Sequence, residues 1–514
     1  MNQNQKPNVI VILADDMGYS DIGCYGGHID TPHLDRLASN GIRFTEFSNT
    51  ARCSPSRASL LTGLHPHQAG MAHLQGKYGP YTERLSDHCV TIAEVLKGSG
   101  YGTYHSGKWH AGVVPAHQRG FDQSIVYTPE YFNPEKVALN GQKLDPDSFD
   151  DDFFSTDHMT DQAVGFLSKH REQMPNQPYF LYLAFNAPHF PLQAKEKDIQ
   201  KYKGRFDQGW DVLRDEKFGR MQDMNIIDAS WELSPQAASA ASPWAEEPHK
   251  AWRLRAFEVY AAMVDCMDQN IGRLLQSLEE VDELDNTLIM FLSDNGGSGE
   301  FPEIQNPDFL PGGPDYLTGN GHYGYGWANL SNTPFRMYKH YIHEGGIASP
   351  FIVHWPAGLE DKGDLRRSPA QLTDIMATIV EVTCSVYPKA YNGNQIIPME
   401  GTSMVSIWKN DTSMKEYLFW EHEGNCGVRH KNWKLVRFYA QPWELYDMVS
   451  DGTEVNDLAE QYPEVVRRLE EEYVRWTQRA NVLTREQYLK FDKNAGKKEQ
   501  VVDIRKLKES YPKK

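Results

Sequence analysis

The chain has few cysteines, no long apolar run and a shortage of positive charge. Six cysteines are scattered over 514 residues without a C-x-x-C pair, so we expect neither a disulfide framework nor a cysteine-based zinc or redox site. No apolar run approaches the roughly eighteen residues of a membrane-spanning helix. Lys and Arg number 52 against 70 Asp and Glu, a net charge of -18. This balance argues against a nucleic acid or an anionic membrane as a partner.

Buried strands alternate with helices along most of the chain. Apolar segments rich in β-branched or aromatic residues, each followed by a polar cluster, predict strands at residues 8–14, 179–185 and 287–292. A capped Thr-Pro start predicts a helix at 31–41, and apolar residues at helical spacing predict another at 254–278. The polar face expected for this second helix carries Asp265, Asp268 and Arg273. The fold class is therefore α/β, with a large mixed, mostly parallel sheet sandwiched by helices and ligands at the carboxyl ends of its strands.

The C-terminal part has a different texture. Short aromatic-rich segments at 417–420, 433–438 and 443–447, followed by a helical pattern at 463–479, predict a smaller antiparallel sheet with one packing helix. We therefore expect a catalytic α/β domain at residues 1–405 and a smaller C-terminal α+β subdomain at 406–514. The charge-rich residues from 490 onward are expected to form a loosely held tail.

The stretch around Cys53 is the most informative. Pro55 at a first helical position and Gly63 at the end predict a two-turn helix beginning beside Cys53. A helix N-terminus favours an anion, and Arg57 on the same face adds a permanent cation. The alternative is an ordinary buried thiol before an ordinary helix, which is what we expect of the other five cysteines.

Oxygen ligands follow two of the predicted strands. Asp15 and Asp16 follow the first, and Asp294 and Asn295 follow the third. Carboxylate and amide oxygens suit calcium or magnesium better than zinc. Each pair alone could equally be a turn after a strand.

Candidate cationic and acid–base groups lie elsewhere in the chain. Lys108 and His110 are two residues apart, so an extended segment would place both on one face. His189 follows the second strand, and Lys339 lies farther on. Singly these are surface lysines or structural histidines, and a functional role requires that they converge on one anion. Aromatic residues in 210–252 and 321–327 could stack on an aryl ring or a sugar, although core packing is the favoured role.

At these positions the chain resembles the type I sulfatases, of the arylsulfatase A kind, within the alkaline phosphatase superfamily. In that family Cys-x-Pro-x-Arg followed by Leu-Thr-Gly directs oxidation of the cysteine to formylglycine, and residues 53–57 and 61–63 reproduce this pattern. Segments 202–207 and 258–264 look like bacterial arylsulfatases, and the aromatic C-terminal part resembles their smaller domain. Further matching segments lie at 11–16, 107–110, 187–189, 293–296 and 343–346.

The resemblance implies hydrolysis of aryl or carbohydrate sulfate monoesters to an alcohol and inorganic sulfate. A formylglycine hydrate has one hydroxyl to attack sulfur and a second whose deprotonation later expels sulfate. One Ca²⁺ would be held by Asp15, Asp16, Asp294, Asn295 and an oxygen of the residue formed from Cys53. By the same resemblance, Arg57 and Lys108 would stabilise the hydrate and the sulfate, and Lys339 would bind sulfate oxygens. His110 would assist at the hydrate, and His189 would protonate the leaving oxygen.

The resemblance also implies partners, a location and alternatives. The partners are a small-molecule or glycan sulfate ester and an enzyme that generates the formylglycine. The location is periplasmic if an export signal preceded this chain, which is favoured, and cytoplasmic if Met1 is the native start. The alternative functions are a phosphodiesterase or phosphonate monoester hydrolase of the same superfamily, and a non-catalytic glycan-binding relative.

Overall fold

The computed structural model describes residues 6–74, 81, 83–236, 241–413 and 415–490. At its centre is strand β1, Asn8–Ala14, which pairs in parallel with β7, Tyr179–Ala184, on one side and with β8, Thr287–Ser293, on the other. The three strands predicted from apolar segments are therefore neighbours in one sheet. Their interiors are fully buried, as expected of parallel strands covered on both faces.

The remaining elements have these bounds. The other strands are β2 Ile42–Ser48, β3 Gly102–Gly107, β4 Gln123–Val126, β5 Ala138–Leu139, β6 Gln142–Lys143, β9 Ala348–His354, β10 Asp364–Arg366, β11 Ala370–Gln371, β12 Ala390–Tyr391, β13 Asn394–Gln395, β14 Tyr417–His422, β15 Asn425–His430, β16 Trp433–Arg437 and β17 Glu444–Asp447. The helices are α1 Pro32–Ser39, α2 Cys53–Thr62, α3 Pro66–Ala69, α4 Ile92–Gly98, α5 Ser155–Gln173, α6 Glu196–Ile199, α7 Gly209–Asp223, α8 Lys250–Glu279, α9 Tyr325–Ser331, α10 Glu344–Ile347, α11 Thr373–Val382, α12 Val405–Asn410, α13 Pro463–Arg479 and α14 Arg485–Leu489.

The large sheet has the strand order β10-β2-β9-β8-β1-β7-β3-β4-β5-β6, and β11 also pairs with β2. Strands β8, β1, β7, β3 and β4 are mutually parallel, whereas β9 runs antiparallel to both of its neighbours. Successive residues of β1 point to opposite faces. Ile10 and Ile12 pack with α5 and α8, while Val9 and Val11 pack with α2, α4 and α11. The prediction of a mixed, mostly parallel sheet between helices is confirmed.

The C-terminal part forms a separate antiparallel sheet in the order β14-β15-β16-β17, with α13 packed on one face. This too confirms the prediction, although β15 was not foreseen because its sequence, Asn-Cys-Gly-Val-Arg-His, lacks a clear apolar pattern. The other face of this sheet packs against Ala51, Ile342 and Ile347. The division between residues 405 and 406 stays a prediction. Among the described helices, none is long and apolar enough to cross a membrane.

Two expectations about buried polarity are wrong. The face of α8 that carries Asp268 is not exposed, because the Asp268 carboxylate accepts hydrogen bonds from the backbone N–H groups of His33, at 3.1 Å, and Leu34, at 2.8 Å. An acid that caps a neighbouring helix is stable in the interior because its charge is matched by unpaired donors. Asp265 is likewise buried and accepts from the Tyr202 hydroxyl at 3.0 Å. Among the cysteines, Cys384 is exposed and the other five are buried.

Candidate active site

Helix α2 places Cys53 at its first position. The helix ends at Gly63, whose φ of 69° is in the left-handed region that glycine tolerates best. The predicted position of Pro55 is wrong by two residues, because the helix begins at Cys53 and Pro55 is its third residue. Proline is acceptable there, since the first-turn N–H groups have no partner within the helix. Cys53 is only 2% exposed.

The oxygen-bearing residues meet at the carboxyl ends of β1 and β8. These strands are parallel neighbours with Ala14 opposite Ser293, so the residues that follow them are adjacent. The Asp16 backbone N–H donates to Asp294 Oδ1 at 3.2 Å, and Asn295 Nδ2 donates to Asp16 Oδ1 at 2.7 Å. With Asp15, all of these side chains are buried. The structure thus brings together four of the five predicted metal ligands, Asp15, Asp16, Asp294 and Asn295.

Arg57 is buried against this cluster. Its Nε and Nη2 lie 3.0 and 2.9 Å from Asp294 Oδ2, and its Nη1 donates to the Lys108 carbonyl oxygen at 2.8 Å. The Lys108 ammonium in turn donates to Asp15 Oδ2. The planar guanidinium therefore joins α2 to the ends of β3 and β8, which a lysine could not do with the same geometry.

A second cation lies beside Asp16. Lys339 Nζ is 2.8 Å from Asp16 Oδ2 and 2.8 Å from Glu300 Oε2. Glu300 Oε1 also contacts Arg52 Nη1 at 2.8 Å, so one carboxylate links Lys339 to the residue before Cys53. The sequence patterns did not predict Arg52 or Glu300 as part of the site. Adjacency to Cys53 was a usable signal for Arg52, whereas Glu300 lies in a loop without a recognisable motif.

The two candidate histidines lie in the segments that follow β3 and β7. His189 Nδ1 donates to the Phe190 carbonyl oxygen at 2.6 Å, and its Nε2 lies 3.6 Å from Asp16 Oδ2. The His110 carbonyl oxygen accepts from the Ser54 hydroxyl at 2.9 Å. The predicted extended segment through Lys108 and His110 is wrong, because His110 has a φ of 46° and β3 ends at Gly107. The turn instead brings the His110 backbone against α2.

The surrounding charges shift the ionisation of this cluster. Burial alone would raise the pKa of Asp15 and of Asp16, but Lys108 beside the first and Lys339 beside the second lower both pKa values. Burial, reinforced by the charge of Asp15, raises the pKa of Asp294 to about 7. Burial also raises the pKa of the Cys53 thiol, although both lysines oppose the shift. Since the thiolate is the reactive form of cysteine, unmodified Cys53 is a poor nucleophile.

The oxygen cluster fits a hard divalent cation. Asp15 Oδ1 and Asn295 Oδ1 are buried and, within the described part of the chain, accept no hydrogen bond. Ligand atoms of Asp15, Asp16 and His189 lie within 4.8 Å of one another. Buried oxygens without donors are costly unless a cation compensates them. The predominance of oxygen donors suits calcium or magnesium.

The aromatic segments mainly pack the core. The Trp210 ring meets Trp244 edge-on at 4.7 Å and Trp327 edge-on at 5.3 Å. Trp210, Trp252 and Trp327 are buried. These side chains therefore pack α7, α8 and α9 together, and core packing was the favoured prediction for them. Residues 237–240 of this region lie outside the described residues.

The chain is similar to proteins of one known family. Residues 7–385 match the family model Sulfatase, and residues 335–479 match the C-terminal model of N-sulphoglucosamine sulphohydrolase. An uncharacterized sulfatase of Schizosaccharomyces pombe is 31% identical over 94% of this chain and 95% of its own. An arylsulfatase of Klebsiella aerogenes is 33% identical over 79% of this chain and 92% of its own.

A crystal structure of Ps i-CgsB in complex with k-i-k-neocarrahexaose superimposes with a TM-score of 0.70 at 25% identity, covering 96% of both chains. The sheet, the helices on its two faces and the small C-terminal sheet therefore follow a sulfatase architecture. The Sulfatase model extends over most of this sequence, from the first strand past α11. The chain belongs to the sulfatase family, in the alkaline phosphatase-like superfamily, and is a sulfuric ester hydrolase.

Proposed function

We propose that this sulfatase hydrolyses sulfate monoesters of aryl or carbohydrate alcohols, using a formylglycine made from Cys53 and one bound calcium ion. The observation that carries the proposal is the setting of Cys53. It is buried at the N-terminus of α2. Burial and the carboxylates of Asp294 and Asp15 raise the pKa of its thiol, and the ammonium groups of Lys108 and Lys339 lower it. A protonated thiol does little in such a site, whereas an oxygen nucleophile made from it would lie among matched cations.

The lysines are suited to bind the sulfate group. An ammonium group has three N–H donors. Among the described residues, Lys339 directs two of them at Asp16 and Glu300, which leaves one for a sulfate oxygen. Lys108 contacts Asp15 from the other side of the cluster. Because the carboxylates hold both lysines in place before the substrate arrives, little reorganisation is needed as charge shifts on the sulfuryl oxygens.

The modified residue and the ion supply the chemistry that these side chains lack. A formylglycine hydrate would supply a nucleophilic hydroxyl and a second hydroxyl, and a bound calcium ion would supply positive charge that stabilises the nucleophile and the sulfuryl oxygens. Asp15, Asp16, Asp294 and Asn295 would hold the ion, with an oxygen of residue 53. Arg57 would keep the Asp294 carboxylate oriented, His110 would assist at the hydrate, and His189 would protonate the leaving oxygen.

Mass spectrometry tests the nucleophile. Trypsin cleaves after Arg52 and after Arg57, so it releases residues 53–57 as a short peptide. In active protein this peptide should carry an aldehyde in place of the thiol, while the peptide containing the exposed Cys384 keeps its thiol and serves as the internal control. Cys53→Ala should be inactive. Fully active protein with only unmodified Cys53 would show that the proposed nucleophile is wrong.

A substrate panel tests the specificity. Nitrophenyl sulfate, a sulfated sugar, a phosphate diester and a phosphonate monoester should be compared with the same matured preparation. We expect the sulfate monoesters to be hydrolysed with the higher kcat/KM. A preference for either phosphorus ester would instead favour the superfamily alternative. The proposal includes a separate maturing enzyme as a partner, and export to the periplasm stays a prediction.

A further inference from the structure

A second group of potential ligands lies where the small sheet meets the catalytic part of the chain. Strand β14 ends at His422, and Glu423 follows in the turn that leads to β15. His340 comes from the segment just after Lys339, and His73 from the segment after α3. We call His73, His340, His422 and Glu423 the histidine cluster. The active-site chemistry described above uses none of them.

The histidine cluster contains buried nitrogen atoms without hydrogen-bond partners. His422 is fully buried, and within the described residues neither of its ring nitrogens makes a hydrogen bond. The same holds for Nδ1 of His73, which is also buried. Leaving a buried polar group unpaired costs about 1–3 kcal/mol. Such atoms call for a compensating ligand.

Two distances to the Glu423 carboxylate are too long for hydrogen bonds but short enough for ligands of one ion. Ligand atoms of His340, His422 and Glu423 all lie within 4.8 Å of one another. His340 Nε2 is 3.9 Å from Glu423 Oε2, and His73 Nδ1 is 4.0 Å from Glu423 Oε1. Two atoms that each lie about 2.0–2.2 Å from one zinc ion can be at most about 4.4 Å apart.

The backbone at the cluster adopts conformations that L-residues seldom take. Glu423 has a φ of 51° and His340 a φ of 91°. Non-glycine residues held in this region cost of order 1–3 kcal/mol each and concentrate at functional sites. For Glu423 the β14–β15 hairpin accounts for this conformation, since a two-residue turn of this kind has positive φ at both of its residues.

We propose that His73, His340, His422 and Glu423 form a site for a transition-metal ion of the zinc class, separate from the oxygen site at Asp15. A set of three imidazoles and one carboxylate suits zinc, whereas calcium takes oxygen ligands and is poorly served by imidazoles. The side chains of His340 and Glu423 are 31% and 30% exposed, which provides a path for the ion to enter.

The guanidinium of Arg485 limits how strongly the site can bind a metal ion. Arg485 Nη2 lies 3.5 Å from Glu423 Oε2, so this oxygen is shared, while Oε1 faces His73. The bound ion would join the β14–β15 turn to the segment that carries Lys339. It would therefore stabilise the packing of the small sheet on the catalytic part, which is a property distinct from hydrolysis.

Cobalt(II) binding provides the direct test, because cobalt in a four-coordinate nitrogen–oxygen site has a strong visible absorption. The calcium-loaded protein should be freed of transition metals and titrated with Co²⁺ and then with Zn²⁺. We expect about one Co²⁺ per chain, displacement of the colour by Zn²⁺, and a rise in Tm with Zn²⁺. His422→Gln should weaken binding by at least about tenfold, since even outer-shell changes cost that much.

His354→Gln is the matched control. His354 is a buried histidine on β9, outside the cluster, whose Nδ1 has no partner among the described residues. It should bind Co²⁺ like the wild type. If His422→Gln does not fold, Glu423→Gln provides the same test on the surface turn.

The proposal fails if the wild type binds no Co²⁺ with this absorption, or if the cluster variants bind it as tightly as His354→Gln. Failure of the calcium proposal would be seen separately. Asp294→Ala, which lies outside the histidine cluster, should retain the cobalt absorption whatever happens to its activity.

Discussion

Replacing His189 by alanine tests how the leaving group departs. The Phe190 carbonyl oxygen can only accept, so the proton on Nδ1 of His189 is fixed there and Nε2 is the atom that faces the pocket. Burial lowers the pKa of His189, whereas Asp16 Oδ2, at 3.6 Å from Nε2, opposes that shift. His189 is thus oriented as a donor at Nε2 when the ring is charged.

The expected effect depends on the basicity of the leaving oxygen. A nitrophenolate departs without a proton, whereas a sugar alkoxide is strongly basic and needs one as the S–O bond breaks. General-acid help is typically worth about 10²–10⁴-fold. We therefore expect His189→Ala to slow hydrolysis of a sulfated sugar by that factor. Nitrophenyl sulfate should lose about tenfold or less, the value of one hydrogen bond to the sulfate.

Single-turnover rates are the appropriate measurement, because product release could hide the difference in the chemical step. His189→Gln serves as the control for packing, since its amide can fill the space and donate a hydrogen bond but cannot transfer a proton. It should resemble His189→Ala on the sugar sulfate. An equal loss on both substrates would mean that His189 chiefly binds sulfate, and His110 would become the next candidate for the acid.

Three further substitutions test the charges around the pocket. Asp294→Ala should lose calcium, measured by atomic emission, together with activity, because it removes a ligand and leaves Arg57 without its main partner; undiminished activity after verified calcium removal would contradict this. Arg57→Lys should lower the free energy of unfolding in urea by about 1.5–3 kcal/mol, since a lysine keeps the charge but cannot make both contacts to Asp294; an unchanged midpoint and slope would refute it. Glu300→Gln should lower kcat/KM by about tenfold, because Lys339 and Arg52 lose a shared carboxylate worth about 1.5 kcal/mol, with calcium content unchanged; a loss of calcium would give Glu300 a different role.

The central strands and the strand-end residues could be predicted because local pattern determines them. A strand buried on both faces must be apolar throughout, so β1 was predicted with the bounds observed, and the polar residues that follow it had to lie at the sheet edge. Helix α13 was also predicted with its observed bounds, since a strongly amphipathic pattern follows a proline at the first helical position.

The missed features depend on contacts between distant parts of the chain. The sequence pattern predicts Asp268 on the polar face of α8. In the structure its carboxylate accepts from backbone N–H groups at the start of α1, 234 residues away. Glu300 acquires its role only through Lys339 and Arg52, and nothing in its own neighbourhood marks it. Likewise, β15 is a strand because β14 and β16 pair with both of its edges. No local pattern contains such information.

The burial of Cys53 has a consequence for whether its modification comes before or after folding. A side chain that is 2% exposed is out of reach of another enzyme's active site once the protein has folded. Arg57, on the same helix as Cys53, contacts Asp294, which lies 237 residues farther along the chain. A formylglycine-generating enzyme would therefore have to act while the later strands are still unpaired. The yield of active protein would then be set by a competition between the rate of this modification and the rate at which β8 docks beside β1.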